Sequence, residues 1–213
     1  MTARASFPGA AEFLPARRTL PALRDAAAGC RGCDLYQDAT QTVFGAGRAR
    51  ARLLLVGEQP GDAEDTKGEP FVGPAGRVLR RALTDAGLDG TPTFVTNAVK
   101  HFSFRRSGNR RLHQTPRAAH ISACRPWLAA EVATVRPDVI VCLGSSAVKS
   151  VFGTEIRVLR DRGTVLERDS AVGAATFVVT VHPSAILRAP SEDREAAYAG
   201  LVADLKVVAS FLA

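Results

Sequence analysis

The sequence contains little that would place it in a membrane or outside the cell. It has no apolar run of about 18 residues, the length that a membrane span requires. The N-terminal stretch MTARASFPGAAEFLPARR has no continuous apolar segment of the kind found in secretory signals. Hydrophobic residues make up 46% and charged residues 23% of the 213 residues, ordinary values for a globular protein. We therefore expect a single soluble, cytoplasmic domain over residues 1–213 that acts as a monomer and has no membrane partner.

Acidic residues are missing from one stretch. Residues 98–130 include no Asp or Glu but seven basic side chains: Lys100, Arg105, Arg106, Arg110, Arg111, Arg117 and Arg125. The net charge of the whole chain is +7, so the entire excess lies in this stretch. A charge run is most often a solvated face. Here Phe102 and Phe104 lie beside the charges, which favours an anionic partner, with nucleic acid the first candidate.

Cysteine is scarce, and its spacing is informative. Cys30 and Cys33 form a C-x-x-C pair, and the other two cysteines are Cys124 and Cys142. Disulfides are not expected in a cytoplasmic protein. Spacing alone allows a zinc site, an iron–sulfur cluster or two independent pairs of structural thiols.

The apolar pattern predicts an α/β fold. Short aliphatic or β-branched runs predict buried strands at 52–57, 93–99, 138–144 and 176–182. Helical periodicity predicts helices at 75–86, 121–135 and 145–151, and another after residue 191. The alternation indicates a central four-stranded, mostly parallel sheet flanked by helices. The polar stretch 157–175 is expected to add a small hairpin, and residues 100–118 are expected to form a basic loop.

Polar or glycine-rich elements follow all four predicted strands. They are GEQPG at 57–61, Asn97, LGSS at 143–146 and HPS at 182–184. Ligands of open α/β sheets bind outside the carboxyl ends of the strands, so these elements indicate a site at that edge. The basic loop, which contains GNRRLHQTP at 108–116, leaves from the second strand. Its His113 could be a solvated side chain, a phosphate contact or a reacting group.

Three motifs resemble the uracil-DNA glycosylase superfamily over nearly the whole chain and in the same order. They are GEQPGDAEDTKGEPFVGPAG at 57–76, VTNAVKHF at 95–102 and HPSAILR at 182–188. The resemblance is greatest to the iron–sulfur branch, family 4 and its relative UdgX. Gln59 stands where family 4 has alanine, and residues 109–113 (NRRLH) stand where UdgX has Lys-Arg-Arg-Ile-His, which favours UdgX. Asn109 departs from that pattern and removes one positive charge.

The resemblance implies a pocket for a uracil base taken out of the DNA stack. Phe71 would stack on the base, although a core position is the alternative. Asn97 would pair with uracil O4 and N3–H through its amide, where the alternative is a turn or cap. His182 would donate to a uracil oxygen as negative charge develops on the leaving base. Glu58 and Gln59 would lie at the catalytic edge, and Glu58 could stabilise the sugar cation, orient water or polarise an imidazole. Further substrate contacts are expected from Gly57, Asp62, Asp65 and Ser184.

The resemblance to UdgX further implies that His113, polarised by Glu58, attacks C1′ of the sugar and holds the DNA covalently. Arg110 and Arg111 would bring the loop onto the phosphates. The substrate would be uracil-containing DNA, single- or double-stranded, and free uracil the product. One alternative is a family 4-type glycosylase with multiple turnovers and a phosphate-contacting loop. The other is a non-enzymatic iron–sulfur protein that binds DNA.

The resemblance also selects one of the possible roles of the cysteines. Both related branches use four cysteines in this order, which implies a [4Fe–4S] cluster held by Cys30, Cys33, Cys124 and Cys142. Such a cluster would tie the N-terminal segment, about residues 1–50, to the rest of the domain.

Overall fold

The computed structural model describes residues 7–213. The first six residues, which begin the stretch examined above for a secretory signal, lie outside it. Two short 3₁₀ helices cover Ala10–Phe13 and Asp34–Gln37. The α-helices are α1 (Leu20–Ala27), α2 (Asp62–Lys67), α3 (Pro74–Asp85), α4 (Ala118–Val135), α5 (Ser145–Phe152), α6 (Val158–Asp161), α7 (Pro183–Arg188) and α8 (Arg194–Leu212). None of the helices within residues 7–213 is both long and apolar enough to span a membrane.

The strands form one large mixed sheet and one small sheet. They are β1 (Ala46–Gly47), β2 (Leu53–Gly57), β3 (Thr93–Asn97), β4 (Phe104–Ser107), β5 (Arg110–His113), β6 (Val139–Leu143), β7 (Val165–Arg168) and β8 (Ala175–Thr180). The large sheet has the order β1-β3-β2-β6-β8-β7, in which the four central strands are parallel and both edge strands antiparallel. The α/β class and the four parallel strands are confirmed. The predicted strand number was wrong, because β1 has two residues and β7 is half-exposed, so neither leaves a clear apolar pattern.

Helices cover both faces of the sheet, which explains why β2 and β6 are buried along their whole length. Side chains alternate along each strand. Leu54 and Val56 of β2 face the core shared with α1, α4 and α5. Leu53 and Leu55 face the core shared with α3, α7 and α8. The sheet is therefore a rigid platform whose carboxyl edge carries the connecting segments.

The carboxyl ends of the parallel strands meet at one edge, as expected. Gly57 at the end of β2 lies opposite Asn97 at the end of β3, and Leu143 of β6 lies opposite Thr180 of β8. The segments that follow these strands are therefore neighbours in space.

The basic stretch, expected to form a loop over residues 100–118, contains a β-hairpin at 104–113. β4 and β5 pair antiparallel around a two-residue turn of Gly108 and Asn109. Gly108 has a φ of 57° and occupies the position that a type II′ turn reserves for glycine. A glycine–asparagine pair is thus a tight-turn signal here. Residues 157–175 contain α6 and β7, and β7 forms a hairpin with β8 within the large sheet.

Candidate active site

The predicted residues at the carboxyl edge surround one cavity of about 440 Å³. Its walls include Glu58, Gln59, Asp62, Phe71, Asn97, His113, His182 and Ser184. They come from the segments after β2, β3 and β8 and from the end of β5. The structure therefore brings together side chains that are up to 126 positions apart in the sequence, as between Glu58 and Ser184.

One wall of the cavity is built by Phe71 and Asn97. A Cβ on Gly57 would lie 2.4 Å from Asn97 Oδ1 and 2.6 Å from Phe71 Cζ, so only glycine lets both side chains come this close to the strand end. Asn97 is 3% exposed, and within residues 7–213 no hydrogen bond occupies its side-chain amide. The amide donor and acceptor are therefore both available to a ligand in the cavity.

Phe71 has a backbone conformation that phenylalanine seldom adopts, with φ at 56°. Its carbonyl accepts a hydrogen bond of 2.9 Å from Arg80 Nη1. Gly76 lies directly against that carbonyl, 1.8 Å from where a Cβ would stand. The left-handed conformation costs about 1 to 2 kcal/mol, and contacts with α3 maintain it. This strain places the Phe71 ring beside His182, with 6.2 Å between the ring centres.

His182 is held as a neutral hydrogen-bond donor. Its Nδ1 accepts a bond of 3.2 Å from the backbone N–H of Ser184 and lies 2.8 Å from Ser184 Oγ. Because a backbone N–H can only donate, Nδ1 carries the lone pair and the ring proton belongs to Nε2. Burial lowers the pKa of His182 to about 4, with a partial opposing effect of Glu58. At neutral pH the ring therefore presents an uncharged Nε2–H.

Glu58 and His113 face each other across the cavity. The Nε2 atom of His113 lies 3.2 Å from Glu58 Oε1, and the His113 side chain is 49% exposed. The other carboxylate oxygen, Oε2, accepts a hydrogen bond of 2.5 Å from Ser146 Oγ. Burial alone would raise the pKa of Glu58, but the hydrogen bonds from His113 and Ser146 bring the pKa below its ordinary value. The carboxylate is therefore anionic at neutral pH, and Ser146 is a contact that the sequence analysis missed.

The Gln59 side chain forms hydrogen bonds with the backbone at both ends of the hairpin. Its Nε2 donates to the carbonyls of Ser103 and Gln114 at 3.1 and 3.0 Å, and its Oε1 accepts from Ser103 N–H at 3.1 Å. Both amide protons are thus used within the protein. These contacts position the hairpin over the cavity, and the predicted catalytic role of Gln59 stays a prediction.

The guanidinium of Arg111 forms ion pairs inside the protein, and its predicted phosphate contact stays a prediction. Its guanidinium lies 2.5 Å from Asp62 Oδ1 and 2.5 Å from Asp65 Oδ2, and its side chain is only 18% exposed. Asp65 is fully buried and also accepts from the backbone N–H of Thr40. Arg111 thereby ties β5 to α2, and Asp62 and Asp65 serve as its partners. The predicted role of these two carboxylates in substrate binding stays a prediction.

The seven basic residues of the stretch 98–130 fall into two sets, one with contacts inside the protein and one exposed without an ion pair among residues 7–213. Four of the seven make contacts within the protein: Lys100, Arg111, Arg117 and Arg125. The hairpin exposes the other three: Arg105, Arg106 and Arg110. The surface available to an anionic partner is therefore smaller than the charge count suggested, and it comprises these three hairpin residues and Arg117, whose side chain is 56% exposed.

Lys100 is a buried cation next to the backbone of Asn97. Its Nζ donates to Asn97 O, Thr96 Oγ1 and Glu131 Oε2, each at 2.7 Å. Glu131 is itself fully buried and also accepts from the backbone N–H of Gly45 at 3.1 Å. A buried ion pair persists only with such a complete set of partners. The pair therefore fixes the backbone that carries Asn97, a role that charge counting could not reveal.

Three of the four cysteines lie close together. Burial raises the pKa of Cys124 to about 12, and the charged forms of Cys33 and Cys30 act on it in the same direction. The indole N–H of Trp127 donates to Cys30 Sγ at 3.3 Å, and the backbone N–H of Lys100 donates to Cys124 Sγ at 3.3 Å. Such N–H···S bonds are among the contacts that tune iron–sulfur thiolates.

His101 lies near these three cysteines, whereas Cys142 lies apart from them. His101 and Cys30 line one cavity of about 240 Å³, and His101 Nε2 lies 2.8 Å from Thr42 Oγ1. Cys142 lies in the middle of the sheet between Val56 and Val179, where burial alone raises its pKa to about 12. Over residues 7–213, no three His, Cys, Asp or Glu side chains are close enough to hold a single metal ion.

Comparisons with known proteins agree with this geometry. The family model of the uracil DNA glycosylase superfamily matches residues 44–206. A type-4 uracil-DNA glycosylase of Archaeoglobus fulgidus is 35% identical over 165 residues, which cover 76% of this chain and 79% of that protein. Type-4 uracil-DNA glycosylases of Thermotoga maritima and Pyrobaculum aerophilum are 34% and 33% identical, covering 77% and 76% of this chain and 81% of each relative. The resemblance to UdgX in particular stays a prediction.

Proposed function

The chain belongs to the uracil DNA glycosylase superfamily, and from this premise we propose that it excises uracil from DNA. The observation that supports the proposal best is the convergence of Phe71, Asn97 and His182 on one cavity of about 440 Å³. A single pyrimidine fits in this volume, whereas a base within a duplex could not enter it. The substrate would therefore be a nucleotide in a single strand or one flipped out of the helix.

The contacts of the cavity match the chemistry of N-glycosidic cleavage. The Asn97 amide offers a donor and an acceptor, which pair with uracil O4 and N3–H and mismatch the reversed pattern of cytosine. As the C1′–N1 bond breaks, its electron pair leaves with uracil. We expect the Nε2–H of His182, whose Nδ1 accepts from Ser184 N–H, to donate to the oxygen on which the negative charge develops. The anionic Glu58 carboxylate stabilises the positive charge left on the sugar.

For the fate of the sugar cation, we propose capture by His113. A neutral imidazole has a nucleophilic lone pair, and Glu58, 3.2 Å away, can orient the ring and accept its proton. A new bond would form between the imidazole and C1′, the ring would lose one proton, and the departing uracil would gain one. The result is a stable protein–DNA adduct and one free uracil per protein molecule.

The type-4 relatives favour the alternative, in which water takes the sugar cation and the enzyme turns over repeatedly. The feature that favours capture is the hairpin, which Gln59 and Arg111 hold so that His113 faces Glu58. A phosphate-contacting loop would not require a histidine against the catalytic carboxylate. We therefore propose that His113 captures the sugar, and repeated turnover by the wild type is the result that would contradict this.

The test is incubation with a uracil-containing oligonucleotide, followed by denaturing electrophoresis and measurement of free uracil. We expect a band at the summed mass of protein and oligonucleotide, with one uracil released per protein. A thymine-containing oligonucleotide should give neither. In His113→Ser, water can enter the vacated space, so uracil should be released over repeated cycles without a band. Repeated turnover by the wild type would establish the alternative, and retention of intact uracil DNA would indicate a binding protein.

We propose further that Cys30, Cys33, Cys124 and His101 hold a [4Fe–4S] cluster. A cube of four irons spreads its ligands further apart than one ion does, which suits thiols too widely spaced for a single metal. The cluster would serve as a cross-link between the N-terminal segment and α4, and no step of base excision passes through it.

The fourth ligand can be identified by substitution. Cys142→Ser should leave the brown colour and about four irons per protein, the content of a [4Fe–4S] cluster. His101→Cys should keep the iron but change the paramagnetic resonance spectrum of the reduced protein, because a thiolate replaces an imidazole. Loss of iron in Cys142→Ser, together with an unchanged spectrum in His101→Cys, would restore the ligand set expected from the sequence.

A further inference from the structure

The carboxylate of Glu58 has a separate partner on each oxygen. His113 Nε2 lies 3.2 Å from Oε1, and Ser146 Oγ donates to Oε2 at 2.5 Å. Ser146 is 2% exposed and lies in the first turn of α5, directly after β6. The helix backbone therefore sets the direction of this hydroxyl. Ser146 is thus a rigid partner, whereas His113 is half-exposed on a hairpin.

Glu58 also stands between two cavities. On one side is the cavity of about 440 Å³ that contains His113 and Asn97. On the other side is a cavity of about 250 Å³ bordered by Gly144, His182 and Arg188. The second cavity has space for several waters, since each occupies about 30 Å³ in the liquid. Water is therefore available next to the carboxylate on the side away from His113.

We propose that Ser146 determines whether the sugar cation is captured by His113 or hydrolysed. The inference rests on the proposed function. A carboxylate that activates water needs a free oxygen to accept the water proton while the water oxygen bonds to C1′. With Oε1 facing His113 and Oε2 accepting from Ser146, both oxygens of Glu58 are already engaged, and each is a weaker acceptor for the proton of a water. Ser146 is a positioning residue, because it acts through Glu58 and does not touch the DNA.

The surroundings of Glu58 agree with this role. The titratable and charged groups that line the two cavities around it are His113 on β5, His182 ahead of α7, Arg188 on α7, and Asp62 and Glu64 on α2. None of them contacts Oε2, so the hydroxyl of Ser146 is the contact that controls this oxygen. Its removal would free Oε2 for a water from the second cavity. Hydrolysis would then compete with capture.

The measurement is the ratio of uracil released to adduct formed, with the pH profile of uracil release as a second readout. The wild type should give a ratio of one. In Ser146→Ala the ratio should rise roughly tenfold, which is the size of effect of one hydrogen bond to an ionised group. The acid limb of uracil release should move up by roughly one pH unit, because Glu58 loses a bond that favours its charged form.

Three further variants control for folding and packing. Lys149→Ala changes an exposed side chain of the same helix that borders neither cavity, and it should leave the ratio at one. Ser146→Thr keeps a hydroxyl and should restore the wild-type ratio. Ser146→Cys has nearly the same volume but is a weak donor, so it should behave like the alanine variant even if Ser146→Ala fails to fold.

The outcomes separate the two proposals. If the wild type releases no uracil, the proposed function fails. If it releases uracil and forms adduct, but Ser146→Ala and Ser146→Cys keep both the ratio and the acid limb, only the role of Ser146 is overturned. Wild-type turnover without adduct would also overturn the inference, since nothing would then remain to be partitioned.

Discussion

Arg110 and Arg111 are adjacent in the sequence but should respond differently to alanine. Arg110 is exposed on the hairpin, whereas Arg111 lies between Asp62 and Asp65. Among residues 7–213, removal of Arg111 leaves the fully buried Asp65 carboxylate with only the Thr40 backbone N–H as a hydrogen-bond partner. Breaking a buried ion pair costs roughly 3 to 5 kcal/mol. Because water can reach the exposed Asp62 side of the pair, we expect the lower end, about 3 kcal/mol.

This cost should be measurable by thermal unfolding. For a domain of about 200 residues, each kcal/mol shifts Tm by roughly 2 to 4 °C. Arg111→Ala should therefore lower Tm by roughly 6 to 12 °C, while Arg110→Ala should stay within about 0.5 kcal/mol of the wild type. Arg111→Ala should also slow adduct formation more than uracil release, because the hairpin no longer holds His113 against Glu58.

In salt titrations of DNA binding we expect the opposite order, with the larger effect for Arg110→Ala. Arg110→Ala should lower the slope of log K against log salt by about 0.7 to 0.9, the effect of one lost phosphate contact. Arg111→Ala should leave the slope unchanged, since its charge is already neutralised by Asp62 and Asp65. If Arg111→Ala instead kept the wild-type Tm and lowered the salt slope as much as Arg110→Ala does, Arg111 would be a phosphate contact. The assignment of Arg111 to the ion pairs with Asp62 and Asp65 would then be wrong.

Two further predictions concern the pocket. Gly57→Ala would place a methyl group 2.4 Å from Asn97 Oδ1 and should reduce single-turnover uracil release by roughly a hundredfold, while Gly90→Ala, in open space, should have no effect. A near-wild-type rate for Gly57→Ala would show that Asn97 does not recognise the base. The folded pKa of His182 is about 4, below the ordinary 6.5, so its neutral form stabilises the fold above pH 6.5 and this contribution is lost as the pH falls toward 4. Denaturant titrations should show a loss of at most about 3 kcal/mol over this range, smaller in His182→Asn, and equal losses in both proteins would contradict the assigned pKa.

The parts of the site that the sequence could predict are those attached to the ends of regular strands. Glu58, Asn97 and His182 each follow a buried apolar run, and the carboxyl ends of parallel strands meet at one edge. Their proximity therefore follows from topology alone. The pairing of Glu58 with His113 followed from the resemblance, and their separation of 3.2 Å agrees with it.

Other contacts depend on three-dimensional details that one-dimensional patterns do not contain. Arg111 faces α2 because side chains alternate on β5, a strand that the turn residues had suggested was irregular. Ser146 meets Glu58 only because α5 starts at the end of the neighbouring strand. His101 belongs to the motif VTNAVKHF, but nothing in the sequence pointed to it as a cluster ligand. A partner can be identified from sequence only when both elements and their relative placement are known.

The hairpin is a separate module attached to a complete α/β domain. Within residues 7–213, β4 and β5 pair only with each other, so deletion of residues 104–113 would remove no hydrogen bond of the six-stranded sheet. The contacts that attach the hairpin include the amide of Gln59 and the carboxylates of Asp62 and Asp65. The proposed nucleophile, His113, therefore lies on a unit whose removal would leave the core of the domain unchanged. The hairpin is also a compact unit that could be transferred to another domain of the same architecture. The transfer would need its ten residues and three anchoring side chains, those of Gln59, Asp62 and Asp65, on the recipient.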